Sequence, residues 1–196
     1  MAYWLLYRLH ELWGPLNVFR YITFRAALAI LTAFVIGVLL GPWLIRTLRR
    51  RQIGQAIRAE GPASHQVKAG TPTMGGLLII GAVTVPVLLW ADLSEPWVWV
   101  VTITTLLFGA IGWLDDALKV LRGKNLGLRA WQKLALQGVA ALLAAVAVRL
   151  VAGHAPHTGV LAVPFIKNAH LDLGILYIPF VALVLIGSSN AVNLTD

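Results

Sequence analysis

Two adjacent carboxylates, Asp115 and Asp116, close the stretch Gly109-Ala-Ile-Gly-Trp-Leu-Asp-Asp-Ala-Leu-Lys119 at the end of an apolar run of membrane-spanning length. An ionisable residue in a membrane segment costs about 2.5–3.5 kcal/mol at mid-bilayer and less near the interface, so a pair calls for a reason. Stability supplies none. A helix running toward Lys119 puts both acids near its C-terminal end, where the macrodipole disfavours negative charge. Lys119 follows Asp115 by four residues and Asp116 by three, the two spacings that share a helical face, so it can partly neutralise both. In the plainer reading the pair is an interfacial cap with its counter-ion. In the chemical reading it is a site for a divalent cation or a phosphate at the membrane face, and Mg²⁺ needs only one or two carboxylates beside substrate phosphates.

Two other polar stretches interrupt apolar runs. Gly70-Thr71-Pro72-Thr73-Met74-Gly75-Gly76 joins a basic loop to an apolar segment. Its glycines permit close backbone approach, and its threonines place hydroxyls at a helix N-terminus, which suits anions; otherwise it is a capped helix start. Asn190-Ala191-Val192-Asn193-Leu194-Thr195-Asp196 gathers two amides, a hydroxyl and a carboxylate at the end of another apolar run. Asn190 and Asn193 share a face if that helix continues, and interhelical hydrogen bonding inside a bundle would also explain them. The sequence stops inside this cluster, so a longer protein is expected. His154, His157 and His170 sit in a Gly/Pro-rich loop whose spacing reads as solvated rather than metal-binding.

The elements that must position these groups are membrane helices. The chain has 196 residues, 59% of them apolar and only 12% charged, with a mean hydropathy of +0.79; soluble domains carry about 25% charged residues. Without cysteine there is neither a disulfide framework nor a thiolate metal site. The fold expected is an all-α polytopic bundle forming a single membrane domain over residues 1–196, with five spans near 26–45, 74–90, 96–114, 131–151 and 173–192. An aromatic-rich interfacial helix and a turn at Gly14-Pro15 precede them. The fourth span reaches its length only if Arg149 snorkels to the interface.

The net charge of +8 falls in loops between the spans, which marks topology and not nucleic-acid binding. Arg46, Arg49, Arg50, Arg51, Arg58 and Lys68 follow the first span, and Lys119, Arg122, Lys124, Arg129 and Lys133 follow the third. Between the second and third spans there are only acids, Asp92 and Glu95. The positive-inside rule then puts the first and third loops in the cytoplasm and the N-terminus outside, against the mild counter-signal of Arg8, Arg20 and Arg25. With five spans, all three polar stretches converge on the cytoplasmic face. A basic face there would attract a lipid phosphate and a soluble diphosphate alike.

Gly-Thr-Pro-Thr-Met-Gly-Gly, Gly-Trp-Leu-Asp-Asp-Ala-Leu-Lys and Asn-Ala-Val-Asn-Leu-Thr-Asp together resemble the phospho-N-acetylmuramoyl-pentapeptide transferases, in the polyprenyl-phosphate N-acetylhexosamine-1-phosphate transferase superfamily. The resemblance runs along essentially the whole chain, including Asn17-Val-Phe-Arg-Tyr-Ile-Thr-Phe-Arg25, and matches an N-terminal half of a protein of about ten spans. Ala63 stands where the family usually has an acid, and Leu126 where it often has lysine.

The resemblance implies transfer of phospho-MurNAc-pentapeptide from its UDP carrier to undecaprenyl phosphate, with release of UMP, at the cytoplasmic face of a bacterial inner membrane. It implies a Mg²⁺ cofactor, with Asp116 and Asp196 as metal ligands and a further ligand beyond residue 196. Asp115 and Asp116 would be catalytic. Lys68, Thr73, Asn190, Asn193 and Asp196 would line the nucleoside-sugar pocket, while Lys119 and Lys133 would face phosphates. The partners are then the two substrates and the bilayer, with a homodimer also admitted, and this half alone is expected to be inactive. A sister transferase using UDP-GlcNAc shares the acid pair, but the first and third motifs favour the muramoyl branch. A transporter would more naturally place charges near mid-bilayer or show paired broken helices.

Overall fold

The computed structural model describes residues 1–50, 74–122, 127–153, 159–163, 165–166 and 169–195, and no side chain after Val192. Its helices are α1 (Ala2–Arg8), α2 (Ile22–Arg50), α3 (Gly76–Trp90), α4 (Pro96–Arg122), α5 (Ala130–Ala152) and α6 (Tyr177–Thr195). A two-stranded antiparallel hairpin, β1 (Val160–Ala162) and β2 (His170–Asp172), pairs Leu161 with Leu171 between α5 and α6. The chain forms two compact units, Met1–Arg129 and Ala130–Asp196.

Among the described residues four helical segments are long and apolar enough to cross a membrane: Ile22–Arg50, Pro96–Arg122, Ala130–Ala152 and Gly174–Val192. Only 6% and 11% of the apolar windows in the first two are buried within the protein, so most of their Leu, Ile, Val and Phe side chains require an apolar solvent. Water would oppose exposure on that scale. This is an all-α polytopic membrane protein. Against the expected spans α2 extends at both ends, Ile22–Arg50 against 26–45, while α4 starts at Pro96 as expected and continues eight residues past Leu114, through both acids, to Arg122. Past the apolar window Lys119 offsets part of the charge of the two acids, pairing with Asp115 at i+4 and with Asp116 at i+3.

The second expected span is shorter than its sequence suggests. Its helix begins at Gly76 and has fifteen residues, about 22 Å against a hydrocarbon core of ~30 Å. Met74 stands before it with φ of 73°, in the left-handed region that does not propagate a right-handed helix.

In the first unit α2 packs along α3 and α3 against α4. Small residues set the approach: a Cβ on Gly41 would lie 3.5 Å from Leu78, and one on Gly109 would lie 2.5 Å from Ile80 Cδ1. Trp90 Nε1 donates to Thr32 Oγ1 (2.9 Å), tying α3 to α2, and the Thr32 hydroxyl donates to Leu28 O (2.7 Å). Thr102, Thr104 and Thr105 likewise donate to carbonyls one turn back, which leaves these hydroxyls satisfied in lipid.

The α3–α4 turn is held by Asp92, whose carboxylate accepts from the Ser94 hydroxyl (2.6 Å) and the Ser94 N–H (3.1 Å). The Ser94 hydroxyl holds the Asp92 carboxyl below the usual aspartate range. Trp99 Nε1 closes the same turn on Leu93 O (2.8 Å). Gly14-Pro15 opens a 3₁₀ helix to Arg20 where a simple turn was expected, since Pro is well suited to a first helical turn.

The second unit is the α5–α6 pair with the hairpin. Ala140, Ala141, Ala144 and Ala145 recur on one face of α5 and are buried, the small-residue stripe that lets membrane helices approach closely. Arg149 extends toward the C-terminal end of α5, where its Nη1 donates to the carbonyl of Gly153 (2.7 Å), the residue that ends the helix with φ of 59°.

Candidate functional site

The acid pair sits one to two turns before the C-terminal end of α4, where its unbonded carbonyls also attract Lys119 and Arg122. Lys119 Nζ lies 2.7 Å from Asp115 Oδ2 and 3.0 Å from Asp116 Oδ1, so a single half-buried ammonium bridges both acids as their spacing requires. The two carboxylates nevertheless have different surroundings. Asp115 is buried, at 8% exposure, and its Oδ1 accepts the N–H of Leu128 at 2.8 Å. Asp116 has a side chain 32% exposed, and its Oδ2 has no partner among the described residues.

Gly127 explains how the chain reaches Asp115. A Cβ at this buried position would lie 2.7 Å from the Asp115 carbonyl oxygen and 2.8 Å from its Cγ, and would clash outright with Oδ1. Only glycine permits that approach. Arg122 Nη1 fastens the same segment by donating to the Gly127 carbonyl (3.2 Å). The sequence offered Gly127 only as the neighbour of a departure at Leu126, and a glycine that acts by lacking a side chain leaves no chemical trace.

In the second unit Asn190 donates through Nδ2 to Gln137 Oε1 (2.8 Å) and to Ile186 O (2.9 Å). Gln137 is 2% exposed, and its Nε2 donates to Ser189 Oγ (3.4 Å). Asn190 therefore takes part in the interhelical bonding that an asparagine in a bundle suggests. Gln137 went unnoticed in the sequence, although a lone amide in the Leu134–Val148 apolar run was its signal. Lys133 lies one turn before Gln137 on α5 and is half-buried. Asn193 continues α6, while Lys68, Thr73 and Asp196 lie outside the described residues. The structure thus brings together Asp115, Asp116 and Lys119 in one unit, and Asn190 with Gln137 in the other.

Among the described residues no three His, Cys, Asp or Glu side chains cluster to cage a metal. What the site offers a hard cation is the open oxygen of Asp116, with Asp115 already committed to Lys119 and Leu128. That donor set fits Mg²⁺, which accepts a single carboxylate and takes its remaining oxygens from water and phosphate.

Residues 98–196, which contain the acid pair, match the model of glycosyl transferase family 4. Residues 68–80 match signature 1 of phospho-N-acetylmuramoyl-pentapeptide-transferases. The chain is 53% identical to the phospho-N-acetylmuramoyl-pentapeptide-transferase of Koribacter versatilis, with all of the chain and 56% of that protein covered. It is 50% identical to the protein of the same name from Desulfotalea psychrophila, again along its whole length and over 54% of the relative. The chain thus spans about half the length of these curated relatives. With its C-terminal half matched by the family model, the chain belongs to glycosyl transferase family 4 and carries the signature of the phospho-N-acetylmuramoyl-pentapeptide-transferases.

Proposed function

We propose that this chain contributes the acid pair to an enzyme that transfers phospho-MurNAc-pentapeptide from UDP-MurNAc-pentapeptide to undecaprenyl phosphate, releasing UMP. The observation that carries this reading is the environment of the pair: one carboxylate buried and fully engaged, its neighbour open, and a single ammonium between them. The signature over residues 68–80 favours the muramoyl substrate over a UDP-GlcNAc-using sister enzyme. The Lys- and Arg-rich loops favour a cytoplasmic, inner-membrane site.

A phosphate monoester with a second pKa near 6 is roughly nine-tenths dianionic at pH 7, so removing its last proton gains little. Alignment and charge neutralisation should dominate, as in other phosphoryl transfers. Asp115 suits the first task. Held by Lys119 and Leu128, it fixes the lysine and the 127–128 backbone in place, and it can orient a lipid phosphate presented to them. Lys119 supplies positive charge for a phosphate oxygen.

Asp116 suits the second task, since its open oxygen can face a cation or a substrate hydroxyl. Mg²⁺, when bound there, would neutralise diphosphate charge and stabilise the departing UMP. In the same proposal Lys133 faces a phosphate, and Lys68, Thr73, Asn193 and Asp196 serve the nucleoside-sugar or the metal. Asn190 contributes by holding α5 to α6.

The test is transfer of labelled phospho-MurNAc-pentapeptide by membranes carrying the whole protein. Asp116→Asn should lower turnover by about 10²–10³-fold, the usual effect of removing one electrostatic group from a transition state. Asp115→Asn should do the same. Turnover at the wild-type rate by either variant overturns the assignment.

A further inference from the structure

A second site lies at the other end of α4. A cavity of about 380 Å³ opens between the start of α2 and the α3–α4 turn. Val98 lines it, and Asp115 is seventeen residues further along the same helix, about 25 Å away. Its walls include Ala29, Pro86 and Trp90, and its polar groups are Arg25, Asp92 and Glu95.

Arg25 is in an unusual condition. Its guanidinium carbon lies 4.0 Å from the Tyr3 ring centroid, a close cation–π contact. Its Nε and Nη1 are shut off from solvent, yet donate to no acceptor among the described residues. Neither Asp92 nor Glu95 forms an ion pair with it within 4.0 Å; the described ion pairs are those of Lys119. Buried N–H groups on a cation demand acceptor oxygens. The two carboxylates beside the cavity belong to the α3–α4 turn, which Ser94 and Trp99 hold in shape.

This arrangement specifies its occupant. The half-buried Arg25 has N–H groups that call for anionic oxygens. The two acids outnumber it by one and call for a further positive charge, even though Asp92 already feels Arg25 and accepts from Trp4. The apolar walls between membrane helices call for hydrocarbon. A free phosphate meets only the first demand. An anionic lipid would bring a negative headgroup against two carboxylates. We propose that this groove binds one zwitterionic phospholipid, with its phosphodiester on Arg25, its primary ammonium at Asp92 and Glu95, and an acyl chain along the α2–α3 wall. A quaternary ammonium would supply charge but no N–H donors for the acids.

The experiment is native mass spectrometry of the delipidated chain in detergent, titrated with phosphatidylethanolamine, phosphatidylglycerol or phosphatidylcholine of matched acyl chains. Phosphatidylethanolamine should be retained about tenfold more tightly than either of the others, the ratio for roughly one charge-assisted hydrogen bond. Arg25→Gln should abolish that retention. The pair Asp92→Asn with Glu95→Gln should erase the preference over phosphatidylglycerol while leaving a lipid bound. As a control for misfolding of Arg25→Gln, Ala29→Phe provides an independent block that narrows the groove without touching a charge, with helicity checked by circular dichroism. Equal or better binding of phosphatidylglycerol by the wild-type chain overturns the proposal, as does undiminished phosphatidylethanolamine retention by folded Ala29→Phe.

Discussion

Asp115 and Asp116 are consecutive in the chain and chemically unlike, because a helix turns about 100° between them. The first faces the segment that Gly127 and Leu128 bring against it; the second is more exposed, with an oxygen that has no partner among the described residues. Their variants should therefore fail in different ways. Asp116→Asn keeps the fold and loses turnover. Asp115→Asn also weakens the carboxylate that accepts the Leu128 N–H, a charge-assisted bond worth about 1.5–3 kcal/mol. A thermal unfolding series in one detergent should show Asp116→Asn within about 0.5 kcal/mol of wild type, with Asp115→Asn clearly lower. The pairing of both acids with Lys119 could be read from the sequence, because offsets of three and four on a helix fix it locally. The difference between them could not, since it depends on a contact thirteen residues away.

Among the elements, α5 and α6 pose a different question: whether Asn190 matters by touching substrate or by holding two helices together. Gln137→Leu removes the interhelical acceptor of the half-buried Asn190 amide, which keeps its bond to Ile186 O, and should cost about 1 kcal/mol. Replacing both partners with leucine removes the demand and should recover most of that loss. If transfer recovers with stability in the double variant, Asn190 is a packing residue; if stability returns without transfer, its amide serves the substrate. The α4 segment poses a steric question. Gly127→Ala must displace the Asp115 carboxylate or its carbonyl, neither a flexible tip that can swing aside, so a loss of about 1–3 kcal/mol is expected. Transfer should fall with it. Gly109→Ala meets only the mobile end of Ile80 and should be milder. The apolar runs revealed where helices would stand, but not which of their small or amide residues would touch, because helix pairing is a property of two segments at once.

For the molecule as a whole, loop charge makes the most far-reaching claim, and the absence of cysteine from these 196 residues makes it easy to check. Single cysteines at Arg49 and Arg129 should be shielded from an impermeant maleimide added outside intact cells, while one at Glu95 should react. Labelling of the first two from outside would invert the assignment and move the acid pair to the opposite surface. The chain's membrane class was plain from composition, whereas the fifteen-residue length of α3 was not, because Met74 breaks the helix by a backbone angle that apolar residues do not announce. The contact between Gly127 and Asp115 finally bears on how a genetic survey of this protein would read. In a substitution map scored by growth, position 127 should look as intolerant as an active-site acid although it presents no side chain to any substrate. Gene dosage should part the two: extra copies restore growth to a poorly folding Gly127→Ala allele, and no number of copies restores it to Asp116→Asn.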